Sequence, residues 1–446
     1  MTSDKDKAIQ DNYIKGDSLL DDICATKTQL FSVMKPFLLL MKACGLYHYT
    51  AFDSDTSHCM TDQETGIVLK QAYKRTRISV SMIYSAAICT MLAINALRCL
   101  STFSMNEEFD LSIFLWKIGI VSWLSNCTTN AIACFRAANK YNGLTNFFLE
   151  YDRYPTKPVS ESCKMHVMVH LVVCCILIVA NTALSLFIIF YTSAFDPLLS
   201  PFKSTHPNGL YIKLAVSVTM FYLNCALVLP MFLMIIICTI LVDLFSSFNK
   251  CLQATIMCKA YTLPINFEKM RQMHLTLCRL VTYADNFLSL YCGVTLLVAC
   301  VHITVNLYNL IWTSDSHKDT SVLFGTIFWT IVACIQIILV CFAGALVNSK
   351  AHEPLDYFFE ISADIIPSEK QIHVQLFLAK LNGPPIGLSV LGMFVIDKPV
   401  ILTILGLLLS YFVIIVQFSP AFIGGEDISN CNCTEILLNA TLHCYS

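Results

Sequence analysis

Seven long apolar runs constrain this chain more than any other feature. They lie at about 78–97, 111–134, 166–191, 210–242, 287–311, 322–346 and 400–418. At 1.5 Å per residue each is long enough to cross a hydrocarbon layer of about 30 Å as a helix. The fourth is too long for one crossing and is expected to project beyond it. Composition agrees: 13% of the 446 residues are charged, against roughly 25% in soluble domains. The expected fold is all-α, a polytopic membrane protein of seven transmembrane helices. A net charge of −2 argues against a nucleic-acid partner.

Charge between the runs sets the orientation. Of the 29 Lys and Arg residues, 23 fall on the side that carries the N-terminal segment. Only Arg98, Lys203 and Lys318 fall on the other side, and Lys117, Lys213 and Lys398 lie in or at spans. The positive-inside rule then puts the N-terminus in the cytoplasm, and an odd number of spans puts the C-terminus outside. The tail carries two N-x-T sequons, at Asn432 and Asn439, and no Lys or Arg. Glycosylation there requires the extracellular side, in agreement. A third sequon, at Asn126, falls within the second span and is expected to stay unmodified. The first 20 residues are polar, so the first span is expected to act as its own targeting signal.

The last run, VILTILGLLLSYFVIIVQF, has no charge. Its polar residues Thr403, Ser410 and Gln417 recur every seven positions, two helical turns, and so share one face. Gly406 and Ile414 lie between them, with Tyr411 at the edge. A polar stripe on a span faces protein or water, not lipid. Two readings remain: hydrogen bonding to a neighbouring helix, or a water-filled pathway. One stripe cannot enclose a pore, so the second reading requires several copies around an axis.

The same residues carry a resemblance. SYFVIIVQF resembles the TYhhhhhQF signature (h, apolar) that closes the last span of arthropod gustatory receptors. Tyr411, Gln417 and Phe418 match, and Ser410 stands where Thr is usual. Upstream, LGMFVID is similar to the segment preceding that span in the family, through Gly392, Phe394 and Asp397. The motifs cover about 30 residues, and the span pattern of the whole chain agrees. The resemblance implies a ligand-gated, non-selective cation channel in the plasma membrane, a small-molecule tastant, and a cytoplasmic anchor domain where four subunits meet. Those subunits are expected to form a homotetramer or a heteromer with related receptors. The pore and gate are expected at Thr403, Ser410, Tyr411, Ile414, Gln417 and Phe418, and the resemblance implies the same placement for Gln417 and Phe418, which end the family motif. Phe418 supplies a hydrophobic constriction and Gln417 a neutral oxygen ligand for cations. The family's sugar branch often has an acidic residue after the motif Tyr; Phe412 departs from this, which weakens a sugar assignment without removing it.

Other classes have less support. A G-protein-coupled receptor has the opposite orientation, and Asp152-Arg153-Tyr154 follows the second span by some 17 residues rather than closing the third. A transporter should show Gly/Pro-broken spans in paired halves. An inverted non-channel receptor or a transporter is the alternative reading. No catalytic motif, metal-ligand spacing or cofactor fingerprint stands out, so no enzyme, metal or cofactor is expected. Most of the 22 cysteines sit inside spans, where thiols act as small apolar groups. Cys431, Cys433 and Cys444 lie in the tail. Cys444 is expected to pair with one of the other two, and the odd thiol to reach Cys99.

Polar and aromatic residues gather in the outer halves of spans 3 to 6. Asn181, Tyr222, Asn224, His302, Asn306, Thr326, Trp329 and Thr330 are the candidate ligand contacts, with Gln336 nearby. Each also fits interhelical packing; as a set they suit an outward-facing pocket. On the other side, Met270, Met273, Leu277 and Leu280 form one helical face. DYFFEISADII and QIHVQLFLAKL flank Pro367 in the same manner. The expected organisation is a cytoplasmic segment at 1–77 with a short apolar piece at 37–49, spans 1–4 at 78–242 and cytoplasmic helical extensions at 243–286. Spans 5–6 at 287–346, cytoplasmic helices at 347–399, the pore span at 400–418 and an extracellular tail at 419–446 complete it. The expected surroundings are membrane lipid.

Overall fold

The computed structural model describes residues 29–48, 79–101, 111–138, 143–154, 161–191, 209–258, 267–312, 320–359 and 368–417. Phe418, Asn432, Asn439, Cys431, Cys433 and Cys444 lie outside the described residues.

The chain is a helical bundle. Its elements are α1 (Gln29–Ala43), α2 (Val80–Leu100), α3 (Leu111–Ala137), α4 (Leu144–Arg153), α5 (Glu161–Tyr191), α6 (Gly209–Cys258), α7 (Phe267–Trp312), α8 (Thr320–His352), α9 (Pro354–Phe359) and α10 (Ser368–Leu381). A hairpin, β1 (Ser389–Val390) and β2 (Phe394–Val395), then leads into α11 (Lys398–Gln417). Helices α2, α3, α5, α6, α7 and α8 are long and apolar enough to cross a membrane, and α11 is a shorter apolar helix. These are the seven expected spans.

α6 and α7 form the axis of the bundle. At 50 and 46 residues, they are about 75 and 69 Å long, more than twice a hydrocarbon layer. α7 packs against α3 and α8, and α6 against α5 and α8. Hydroxyl groups within the helices turn back on their own backbone. Thr128, Ser185 and Thr304 donate to the carbonyls four residues earlier at 2.8, 2.8 and 2.7 Å. That bond satisfies a hydroxyl where no water is present.

The C-terminal part of α6 and the N-terminal part of α7 extend beyond the span lengths. Their ends join α8, α9 and α10 in a compact base. Its centre is His274, fully buried. Phe245 and Phe248 of α6 and Phe377 of α10 pack against its ring at 5.9, 5.5 and 5.0 Å. Its Nε2 lies 3.2 Å from the Ala351 carbonyl of α8. Burial lowers the His274 pKa to about 4, so the ring is neutral at neutral pH. Leu277 and Leu280 of the expected face are fully buried, with Met270 and Met273 at its margin.

Two elements differ from expectation. The piece read at 37–49 is a helix that starts at Gln29. It buries Leu30, Met34, Phe37, Leu38 and Met41, one face at helical spacing, against α4 and α5. The polar loop after span 2 contains α4. There Glu150, 3% exposed, lies 3.0 Å from both Arg153 of α4 and Arg279 of α7. Asp152-Arg153-Tyr154 ends this short helix, with Tyr154 buried.

Candidate ligand cavity and pore helix

A cavity open to the outside lies between α3, α6, α7 and α8, where about 730 Å³ of space, open solvent included, is free of protein atoms. α3 supplies Trp116, Gly119, Ile120, Trp123 and Asn126. These positions repeat at helical spacing, so one face of α3 forms a wall. α7 opposes it with Val298, Ala299, His302 and Asn306. α8 adds Trp329, Val332, Ala333 and Gln336, and α6 adds Leu227. All lie in the parts of these helices remote from the base.

Three of the four tryptophans of the chain line this space. Among the described residues, no Asp, Glu, Lys or Arg does. Small-molecule pockets have this character: largely apolar and aromatic walls, with a few placed polar groups. His302 is fixed by its Nε2, 2.9 Å from the Gly119 carbonyl across the α3–α7 contact.

Trp329 is held from behind. Its indole N–H donates to Asn181 Oδ1 of α5 at 3.2 Å. Asn181 Nδ2 donates to Asn224 Oδ1 of α6 at 2.8 Å, and Asn224 Nδ2 donates to Thr182 Oγ1 at 3.1 Å. The relay ties three helices to one cavity wall.

The expected contact set is therefore divided. His302, Asn306 and Trp329 line the cavity, as does Gln336. Asn181 and Asn224 stand one layer behind it. Thr330 donates to the Thr326 carbonyl at 2.7 Å, within α8, and neither threonine is a lining residue. Tyr222 also lies off the cavity: its hydroxyl is 3.1 Å from that of Tyr84, which in turn donates to the Ala43 carbonyl at 3.0 Å. Sequence reasoning missed Trp116, Trp123 and Asn126. The signal was present: two tryptophans seven apart, with an asparagine one turn on. Asn126 is 2% exposed, inside a helix, and its sequon is enclosed by protein.

α11 presents a different surface. Ile401, Ile404 and Leu408 pack against the core, and α7 is the neighbour they meet. The rest of the helix is open: Leu402 is 72% exposed and Leu409 65%. Thr403 and Ser410 each follow a packed residue by two positions, about 200° around the helix. The polar stripe thus faces away from the chain's own body. Thr403 and Ser410 donate to the carbonyls of Pro399 and Gly406 at 3.2 and 2.8 Å. They bond their own helix, not a neighbouring one. Tyr411, Ile414 and Gln417 are also exposed.

The hairpin aims this helix. Leu391 and Gly392 have φ of 54° and 74°, two successive left-handed residues that reverse the chain. Glycine enters that region freely; leucine does so under strain. Leu391 N–H donates to the Ser289 carbonyl of α7 at 3.2 Å. Ser389 N–H donates to Asp285 Oδ1 at 2.6 Å, and its hydroxyl lies 2.9 and 2.8 Å from the two carboxylate oxygens. Asp397 then caps α11, accepting Val400 N–H at 2.9 Å. Gly392 and Asp397, two residues of the upstream motif, thus act as a turn and a cap.

The sequence matches the family described as 7tm chemosensory receptor over residues 34–422. No curated protein matches it in sequence. Among solved structures, the insect olfactory receptor OR5 from Machilis hrabei in complex with eugenol is similar in fold. That match has a TM-score of 0.62 at 15% identity, covering 88% of this chain and 100% of that one. A second structure of the insect olfactory receptor OR5 from Machilis hrabei gives a TM-score of 0.63 at 14% identity, covering 87% of this chain and 98% of that one. With seven apolar helices and a family match spanning all of them, this chain belongs to the 7tm chemosensory receptor family.

Proposed function

We propose that the chain is a gustatory-type receptor in the plasma membrane: a ligand-gated, non-selective cation channel opened by a small organic molecule in the four-helix cavity. The observation that carries this reading is the placement of the α11 stripe. Thr403, Ser410 and Gln417 lie opposite the face that packs on α7, where lipid would surround them in a lone chain. Copies arranged about an axis bring these stripes together around water. Four copies are proposed, joined through the base.

The cavity supplies the stimulus side. α7 carries His302 and Asn306 in its wall and, about four to six turns nearer the base, Ser289 and Asp285, which hold the α11 hairpin. A ligand that shifts α7 therefore moves the start of the pore helix. The proposed orientation has the N-terminus in the cytoplasm and the C-terminus outside, on the 23-to-3 charge asymmetry. The cavity then lies in the outer leaflet, and Asn432 and Asn439 are glycan acceptors. Whole-cell recording from cells expressing this chain alone, against a panel of small organic compounds, sugars and amines, tests the function. The expected result is a ligand-evoked cation current that reverses near zero. Surface-expressed protein silent to the entire panel argues against it.

A further inference from the structure

We propose that the cavity selects an uncharged aromatic alcohol, and that Asn126 sets this choice by accepting a hydrogen bond from the hydroxyl. The proposal rests on the reading of the cavity as the ligand site.

Three observations point to it. Asn126 lines the cavity at 2% exposure, and its Oδ1 is a buried acceptor with no hydrogen-bond partner. Buried polar atoms are nearly always paired, and leaving one bare is costly. The oxygen has almost no accessible surface as it stands, so the amide must turn to present it to the cavity, where a ligand O–H relieves that cost. An analogue without the O–H buries the oxygen bare, and sites built around such a bond reject such analogues strongly.

The charge of the walls is the second. Among the described residues, no acidic or basic side chain apart from His302 lines the cavity, and His302 is committed to the Gly119 carbonyl. A cation or anion held there would be buried without an ionic partner.

The third is the shape of the polar set. Trp116, Trp123 and Trp329 offer ring faces and edges that suit a flat ring. Asn126 lies one turn beyond Trp123 toward the base, and Gln336 two turns beyond Trp329 in the same direction. Asn126 and Gln336 thus stand on the base side of the indoles, while Asn306 of α7, which runs outward from the base, stands at the outer end. A molecule with a ring at one end and a hydroxyl at the other fits this order. A sugar, with hydroxyl groups on every side, would press several of them against indole and aliphatic walls.

The test uses purified full-length protein in lipid nanodiscs and follows quenching of its tryptophan fluorescence. The probes are three aryl alcohols of increasing size (2-phenylethanol, 3-phenylpropanol and 2-naphthylethanol), their O-methyl ethers, 2-phenylethylamine as a cation of matched shape, and sucrose. At least one alcohol is expected to bind saturably and at least about tenfold more tightly than its ether. The amine and sucrose are expected to be weaker still. Asn126→Leu should reduce the alcohol-to-ether ratio to near one. Thr128→Ala, which removes the sequon and keeps Asn126, should leave the ratio unchanged. If Asn126→Leu does not fold, the ratio in the parent protein decides.

Failure to bind any of the alcohols overturns the proposal, as does equal binding of alcohol and ether, or preference for the amine or sucrose. Binding with the expected ratio but no current in cells upholds the cavity chemistry and counts against the channel. Currents evoked by sucrose or the amine and unaffected by Asn126→Leu uphold the channel and remove this assignment.

Discussion

Leu391, at the turn of the hairpin, packs on Gly293 of α7 so closely that a methyl group added to the glycine would collide with it. The contact joins the cavity helix to the segment that launches α11. Gly293→Ala must push the leucine side chain or the strained turn aside. Ligand quenching of tryptophan fluorescence should stay within about twofold of the parent, while the concentration for half-maximal current shifts by about tenfold, since 1.4 kcal/mol is that factor. Parallel binding and current measurements check this. An unchanged current response means that the hairpin does not transmit.

Asp285 and Ser389 hold the same hairpin by hydrogen bonding. Ser389 N–H donates to Asp285 at 2.6 Å, and its hydroxyl reaches both carboxylate oxygens. Charge-assisted bonds of this kind contribute about 1.5–3 kcal/mol each. Asp285→Ala should therefore release the start of α11 and cut maximal current by about tenfold or more at normal surface expression. Ser389→Ala keeps the backbone bond and should be milder. Surface labelling with voltage clamp separates the two, and equal effects would contradict the hydrogen-bond account.

The hairpin was illegible in the sequence for a physical reason. LSVLGMFVID has one glycine and no Asn, Asp or Pro at the turn, so the usual turn chemistry is missing. Leu391 takes a left-handed conformation because α7 supplies Ser289 and Gly293 to hold it, a tertiary cause. The spans, by contrast, were legible because hydrocarbon tolerates little except apolar helices. The cavity was half legible. Trp329, His302 and Asn306 were found as polar or aromatic residues in apolar spans. Trp116 and Trp123 do not stand out, because a tryptophan in an apolar span suits a membrane interface or helix packing as readily as a cavity wall. Asn181 and Asn224 stood out for their polarity, but polarity alone does not tell a lining residue from one that supports it.

That distinction has a test. Trp329→Ala removes an indole from the cavity, and Asn181→Ala only frees the indole behind which it stands. Both should weaken activation at intact surface expression. Trp329→Ala should do so by about tenfold or more, as buried aromatic contacts lose several kcal/mol on truncation. Asn181→Ala should be smaller, and the double variant should add little to Trp329→Ala. Additive losses would show that the two act separately.

The base should be acid-sensitive. His274 is neutral when folded, with its pKa lowered by burial from 6.5 to about 4. In the unfolded chain it takes up a proton as pH falls below 6.5, so folding stability is full above that value and declines as pH falls toward 4. Detergent-solubilised protein should melt at lower temperature at pH 5 than at pH 7.5. His274→Phe keeps the aromatic packing with Phe245, Phe248 and Phe377 and should flatten that dependence. An equal pH dependence in both proteins would assign the effect to other groups.

The most direct test of the channel reading is cysteine accessibility along α11. Single cysteines at Thr403, Ser410 and Gln417 sample the stripe, and cysteines at Ile401, Ile404 and Leu408 sample the face packed on α7. Each is exposed to a small water-soluble thiol reagent during agonist application under voltage clamp, with the parent chain as the reference for native thiols. The account predicts irreversible block of the agonist-evoked current at the three stripe positions and none at the three packed positions. Block spread evenly around the helix, or absent from the stripe while agonist current flows, would contradict a pore lined by α11.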